Sequence, residues 1–170
     1  IDFSNNMVAN ARQKAARKSY RANFYQGDAL NIAVQDRTFD VVTVAFGIRN
    51  VVDPLRALRE MHRVLRPGGR MIVLEFTLPP SKLVRSGYLF YFSRILPRVG
   101  KLIARAEMDA YRYLPDSVRA WPSPDLFSRQ IESAGFSDVE YELLFLGVAA
   151  IHTAVRPRSD ELLDSPSPAR

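Results

Sequence analysis

Two dense apolar runs, Phe39–Phe46 and Arg70–Thr77, flank a segment with helical periodicity. This strand–helix–strand unit constrains the fold more than any other feature of the chain. Met71-Ile72-Val73-Leu74 leaves no room for polar alternation, so both runs read as strands covered on both faces, the pattern of a parallel sheet. Between them Leu55, Leu58, Met61, Val64 and Leu65 form the apolar stripe of a helix. Asp53 offers an N-cap oxygen, and Pro54 suits a first turn whose N–H groups have no helical partner. Pro67-Gly68-Gly69 ends the helix, because Pro lacks a donor and Gly leaves helical geometry at little steric cost.

The flanking segments extend the alternation. Met7, Val8, Ala11 and Ala15 place a helix over Asn5–Lys18, with Ser4 as its cap. Leu126–Ala134 reads as a helix closed by Gly135. Val139–Leu146 and Val148–Val155 read as two strands hinged at Gly147, a terminal antiparallel hairpin. Pro79–Pro115 is long, aromatic and basic, and reads as two or three helices inserted between sheet elements. The expected fold is therefore α/β, a mainly parallel sheet covered by helices, in one domain over residues 1–156 with a helical insertion at about 79–115. Pro157–Arg170 is rich in Pro and Ser and is expected to be a disordered tail.

Composition removes several function classes. The chain has 170 residues, 47% of them hydrophobic, enough for one core and too few for two ordinary domains. It has no cysteine, so a disulfide frame and a thiolate metal site are excluded. His62 and His152 are far apart in sequence, and no metal is expected. The net charge of +6 comes from scattered Lys and Arg without a long basic block, so no nucleic-acid partner is expected. No apolar run approaches the roughly 18 residues of a spanning helix. The chain opens Ile1-Asp2-Phe3-Ser4, without a signal-peptide pattern.

The residues Arg63-Val64-Leu65-Arg66-Pro67-Gly68-Gly69-Arg70-Met71-Ile72-Val73-Leu74-Glu75-Phe76-Thr77 carry a more specific signal. A leader helix, Leu-x-Pro-Gly-Gly and a strand are shared by many class I methyltransferases. The extension to Val-Leu-Glu-Phe-Thr resembles the ubiquinone/menaquinone biosynthesis C-methyltransferase family, the UbiE/MenG type. Arg66 and Thr77 stand where that family usually has Lys and Ser. Phe46-Gly47-Ile48-Arg49-Asn50, Asp109-Ala110-Tyr111-Arg112-Tyr113-Leu114 and Gly147-Val148-Ala149-Ala150-Ile151-His152 are similar to further family segments. The resemblance implies a class I S-adenosylmethionine-dependent methyltransferase fold (Rossmann-like). It also implies that the chain starts downstream of the first strand and of the Gly-rich turn that holds the methionine part of S-adenosyl-L-methionine.

Asp2 stands at the expected end of a strand and just before a helix. A carboxylate there can accept from both ribose hydroxyls of a nucleoside, or simply favour the positive end of the helix. The resemblance implies that Asp28 bonds the adenine amino group and that the main chain of Ala29 meets the ring; the alternative for Asp28 is an ordinary turn residue. Ala45, at a strand end, is placed to contribute through its backbone alone. Arg49 and Asn50 are the expected catalytic pair. A quinol ring carbon becomes nucleophilic when a phenolic proton of pKa about 10 is lost. A guanidinium of pKa above about 12 is no simple base, but it can stabilise the phenolate or polarise a water, which Asn50 orients. The alternative is a loop Arg paired with a nearby carboxylate. Tyr111 and Tyr113 are expected to line the quinol pocket.

The implied activity is C-methylation of a polyprenylated quinol, either demethylmenaquinol or the methoxy-polyprenyl-benzoquinol of ubiquinone synthesis. The implied setting is cytoplasmic; the aromatic, basic stretch from Tyr88 to Arg105 reads equally as a peripheral contact at the inner face of the membrane and as a helical lid over the core, and a homodimer is compatible with either. The rival reading is a non-catalytic fragment, or a lipid- or partner-binding subunit of a quinone-biosynthesis assembly. A nicotinamide dehydrogenase is disfavoured by the absence of G-x-G-x-x-G.

Overall fold

The structure, a computed structural model, describes residues 1–91, 94 and 116–158. Helix α1 spans Asn5–Arg17, and the Ser4 hydroxyl accepts from the Met7 N–H at 3.4 Å. Strand β1 spans Phe39–Ala45. Helix α2 spans Pro54–Val64, and the Asp53 carboxylate accepts from the Arg56 N–H at 2.9 Å, as the sequence led one to expect of an N-cap. Strand β2 spans Leu65–Phe76, helix α3 Lys82–Phe90, and helix α4 Pro124–Ser133. Strands β3, Ser137–Leu144, and β4, Ala149–Val155, close the described chain.

The sheet order is β1-β2-β4-β3. Strands β1 and β2 pair in parallel through the α2 crossover, whereas β4 runs antiparallel to both β2 and β3. The expected hairpin is present, and its reversed strand sits inside the sheet with β3 at the edge. The hairpin connection is a 3-10 turn, Phe145–Gly147, in which all three residues have positive φ (51, 61 and 86°). A Cβ at Gly147 would lie 2.6 Å from Pro80 Cδ, so the turn requires glycine both for its φ and for the close approach of Pro80.

Helices α2 and α4 pack on one face of the sheet. The core there joins Leu58 and Met61 of α2, Met71 and Val73 of β2, Phe127 and Ile131 of α4, and Ala154 of β4, all buried. Phe127 is fully buried, with ring centroids 5.0 Å from both Trp121 and His152.

Two local expectations need correction. Strand β1 is not covered on both faces: Val42 and Val44 turn toward the core, while Val41, Thr43 and Ala45 are exposed on the other face. A run of apolar residues does not by itself reveal which neighbours cover it. Pro67-Gly68-Gly69 also does not precede the strand. It forms a bulge within β2, because Leu65 already pairs with Phe39 and the register slips before Arg70 meets Val41. Gly68 has φ of +79°, and a Cβ at Gly69 would lie 2.8 Å from the Arg66 carbonyl oxygen. The expected insertion at 79–115 is described as far as α3 and its first following residues; the rest of it lies outside the described residues, as does the expected tail beyond residue 158.

Candidate active site

A cavity of about 580 Å³ opens beyond the carboxyl end of β1, where ligands of open α/β sheets collect. Three short segments wall it: Ile1–Phe3, Gly27–Leu30, and the turn after β1 that carries Gly47, Ile48 and Asn50. The first two are held together by a parallel bridge of Asp2 with Gln26. The Asp2 N–H donates to the Tyr25 carbonyl at 3.1 Å, and the Gly27 N–H donates to the Asp2 carbonyl at 3.0 Å. Arg12 of α1 reinforces the bridge by donating twice to the Phe24 carbonyl, at 2.6 and 3.2 Å.

This bridge brings two carboxylates to one cavity. Asp2 Oδ1 accepts from the Ser4 N–H at 2.8 Å, and Asp28 Oδ1 accepts from the Leu30 N–H at 2.9 Å. Each bond fixes a short loop through one oxygen. The second oxygen of each carboxylate makes no hydrogen bond among the described residues. Both Asp residues are exposed, so neither carries a large desolvation cost. The remaining wall is largely apolar, with Phe3, Leu30, Val44, Ile48 and Met61. An apolar slot with two carboxylate acceptors suits a flat heterocycle that bears N–H and O–H donors.

The loop carrying Asp28 and Ala29 is anchored from α2. Arg63 spends three guanidinium N–H donors there, on Asp36 and on the carbonyls of Ile32 and Val34, and the other two on the Glu60 carboxylate of its own helix, all between 2.6 and 2.9 Å. Glu60 also accepts from the Ile32 N–H at 2.9 Å. The hydrogen bond from Arg63 is the main reason that the Glu60 carboxyl titrates below its ordinary value.

Arg49 occupies the other side of the turn. Its side chain is buried and forms an ion pair with the buried carboxylate of Glu75, at the end of β2. Its Nε donates to Ser117 Oγ at 3.1 Å, and its guanidinium lies 5.4 Å from the Phe76 ring centre. Tyr88 of α3 is close enough for the Arg49 charge to act on its hydroxyl; burial nevertheless raises the Tyr88 pKa above its ordinary value. Arg49 therefore has the carboxylate partner that the sequence left open, while Asn50, next in the chain, lines the cavity.

Of the residues singled out from sequence, Asp2, Asp28, Ala29 and Asn50 converge on one cavity, and Arg49 sits behind its wall. Ala45 does not line it. Its expected contribution is through the backbone alone; Val44 and Gly47 are the neighbours that form the wall there. Tyr111 and Tyr113 lie outside the described residues. Ser117 and the Glu60–Arg63 clamp had no signal in the sequence, because their partners lie 27 or more residues away, or in the case of Ser117, 68. Among the described residues no three His, Asp or Glu side chains gather as metal ligands, and no helix is long and apolar enough to cross a membrane.

Residues 1–156 match the ubiE/COQ5 methyltransferase family. A demethylmenaquinone methyltransferase of Thermus thermophilus is 49% identical over 156 residues, covering 92% of this chain and 70% of the relative. The ubiquinone/menaquinone biosynthesis C-methyltransferase UbiE of Geotalea daltonii is 44% identical over 155 residues, covering 90% of this chain and 65% of the relative. A demethylmenaquinone methyltransferase of Clavibacter sepedonicus is 41% identical, and the chain spans 63% of its length. Among solved structures, the [4+2]-cyclase SpnF superposes with a TM-score of 0.66 at 19% identity, over 92% of this chain and 65% of that one. A SAM-dependent methyltransferase from Aquifex aeolicus gives 0.63 at 16% identity, over 91% of this chain and 66% of that one. At such identities the structural likeness establishes the fold alone, the α/β fold of the class I methyltransferases. The fold, the match over nearly the whole described chain and the identity to these relatives agree, and the chain belongs to the ubiE/COQ5 methyltransferase family.

Proposed function

We propose that this chain takes part in transferring a methyl group from S-adenosylmethionine to a ring carbon of a polyprenylated quinol, demethylmenaquinol or the methoxy-polyprenyl-benzoquinol precursor of ubiquinone. The observation that carries the reading is the convergence of Asp2, Asp28 and Asn50 on one cavity, with Arg49 buried directly behind the turn that bears Asn50. The names of the relatives from Thermus and Geotalea support the enzymatic reading over a non-catalytic subunit.

The cavity fits the nucleoside part of the donor. Asp28 accepts from the adenine amino group, Asp2 accepts from the ribose hydroxyls, and the apolar wall of Leu30, Ile48 and Met61 covers the ring. When bound, S-adenosylmethionine supplies a methyl group already activated by its positive sulfur. The chain's own contribution is alignment and charge. The acceptor approaches over the turn at Gly47–Asn50. Arg49 stabilises the oxyanion left when the phenolic proton departs to water, and Asn50 orients that water or the quinol oxygen. With a resting phenol pKa of about 10, each pKa unit by which that charge eases deprotonation is about 1.4 kcal/mol.

The polyprenyl tail makes a peripheral contact with the inner face of the cytoplasmic membrane part of the same reading. Co-sedimentation with anionic vesicles at low salt is its expected sign, and a chain that stays in the supernatant contradicts it. The activity itself is tested with methyl-labelled S-adenosylmethionine and the two quinols, each with a short prenyl tail. Label appearing in the organic phase with one of them supports the proposal and fixes the head group. A chain that binds the donor and labels neither quinol refutes it.

A further inference from the structure

Glu75 is 2% exposed at the carboxyl end of β2, on the same face as Met71 and Val73. A buried carboxylate there is costly, and an apolar residue of similar volume would pack at no electrostatic cost. Glu75 does not line the cavity, and its two oxygens are spent on one neighbourhood. Oε1 accepts from the Phe76 N–H at 2.8 Å and from Arg49 Nη1; Oε2 accepts from the main-chain N–H of Arg49 at 3.4 Å. The carboxylate thus grips Arg49 at both its guanidinium and its backbone. Ser117 holds Nε, and the guanidinium carbon lies 5.4 Å from the centre of the Phe76 ring. Nη2, with its two donors, makes no hydrogen bond among the described residues.

We propose that Glu75 is a positioning residue for the methyl transfer. It fixes the rotamer of Arg49 so that the Nη2 edge meets the oxyanion developing on the acceptor. Through the Arg49 main chain it also sets the turn that carries Asn50 into the cavity wall. The inference rests on the reading of Arg49 as the group that meets the acceptor oxygen. A carboxylate is required, because both of its contacts with Arg49 are donors. The amide of Gln can accept at one end only, and its NH₂ would face a second N–H. Packing alone explains none of this, since Gln has nearly the same shape as Glu.

The test is Glu75→Gln, with Glu75→Asp as the second variant, in the full chain. The first readout needs no turnover. In a sample with ¹⁵N-labelled arginine, the Arg49 Nε–H signal, assigned by its loss in Arg49→Lys, is expected to exchange slowly with water. Its exchange should accelerate by about tenfold or more in Glu75→Gln and by less in Glu75→Asp. Binding of S-adenosylmethionine should weaken by no more than about fivefold, because only the Gly47–Asn50 side of the wall depends on Glu75, while Asp2, Asp28 and Leu30 do not contact it. The second readout is turnover. Glu75→Gln should lower kcat by about 100-fold with little change in KM for the donor, and move the pH–rate profile to higher pH; Glu75→Asp should recover part of the loss. Unchanged Arg49 exchange in a folded Glu75→Gln chain overturns the proposal, as does unchanged kcat. Loss of folding in both variants overturns it too, by assigning Glu75 to the fold. A wild-type chain that binds the donor without transferring methyl counts against the proposed function, while Arg49 exchange still decides whether Glu75 holds Arg49.

Discussion

Replacing Arg63 with Met should weaken nucleoside binding without touching the cavity. Met keeps most of the apolar stem and deletes the five-donor fork. Three of the lost bonds tie α2 to the loop that carries Asp28: those to the Ile32 carbonyl at 2.7 Å, the Val34 carbonyl at 2.8 Å and Asp36 at 2.6 Å. Asp36 is 68% exposed, so that pair contributes at most a few tenths of a kcal/mol. Arg63 is 30% exposed, which places each carbonyl bond near ~1 kcal/mol rather than at the upper end for charged donors. The loss of loop anchoring is therefore about 2 kcal/mol, apart from the two bonds to Glu60 that lie within α2. If rather more than half of that falls on ordering residues 28–34 at binding, the donor's Kd rises about tenfold, the equivalent of about 1.4 kcal/mol. Glu60 keeps the Ile32 N–H but loses the bond that chiefly depresses its titration, so its pKa should return toward 4.5. Calorimetric titration of S-adenosylmethionine well below the melting temperature, with a thermal melt in parallel, measures both effects. A variant that melts lower and binds equally well would show that the clamp supports the fold and not the site. A variant unchanged in both would refute the reasoning outright.

Acid should destabilise the protein through its two histidines. Burial lowers the pKa of both His62 and His152 below 6.5, so the unfolded chain binds protons that the folded chain does not. Stability is then fully present above pH 6.5 and declines as the pH falls below it. Urea midpoints at pH 7.5 and 5.5 should show the decline, and His152→Gln should reduce it. Phe127→Ala should cost about 3–5 kcal/mol, because a fully buried ring leaves a cavity between Trp121 and His152. Phe127→Leu should cost markedly less in the same urea titration.

The elements that sequence reading placed well are those fixed by neighbours in the chain. Helices α1, α2 and α4 follow from apolar spacing, and Ser4 and Asp53 cap where a short oxygen-bearing side chain precedes a helix. The convergence of Asp28, Ala29 and Asn50 was legible through family resemblance, since nothing local says that residues 28 and 50 share a wall. What failed depended on distant partners. Val41 and Ala45 belong to an apolar run, yet exposure is decided by what packs on each face. Pro67-Gly68-Gly69 carries every sign of a break, yet pairing with β1 begins before it at Leu65. Arg49 was legible as a functional candidate, but its environment was not: Glu75 is 26 residues away and Ser117 is 68.

The central claim is that the cavity beyond β1 is the donor site. The most direct measurement is calorimetric titration of S-adenosylmethionine into the wild-type chain and into Asp28→Asn. The account expects binding by the wild type and a loss of about tenfold in Asp28→Asn, the worth of one charge-assisted hydrogen bond. A folded wild-type chain that fails to bind, or an Asp28→Asn chain that binds equally well, contradicts it.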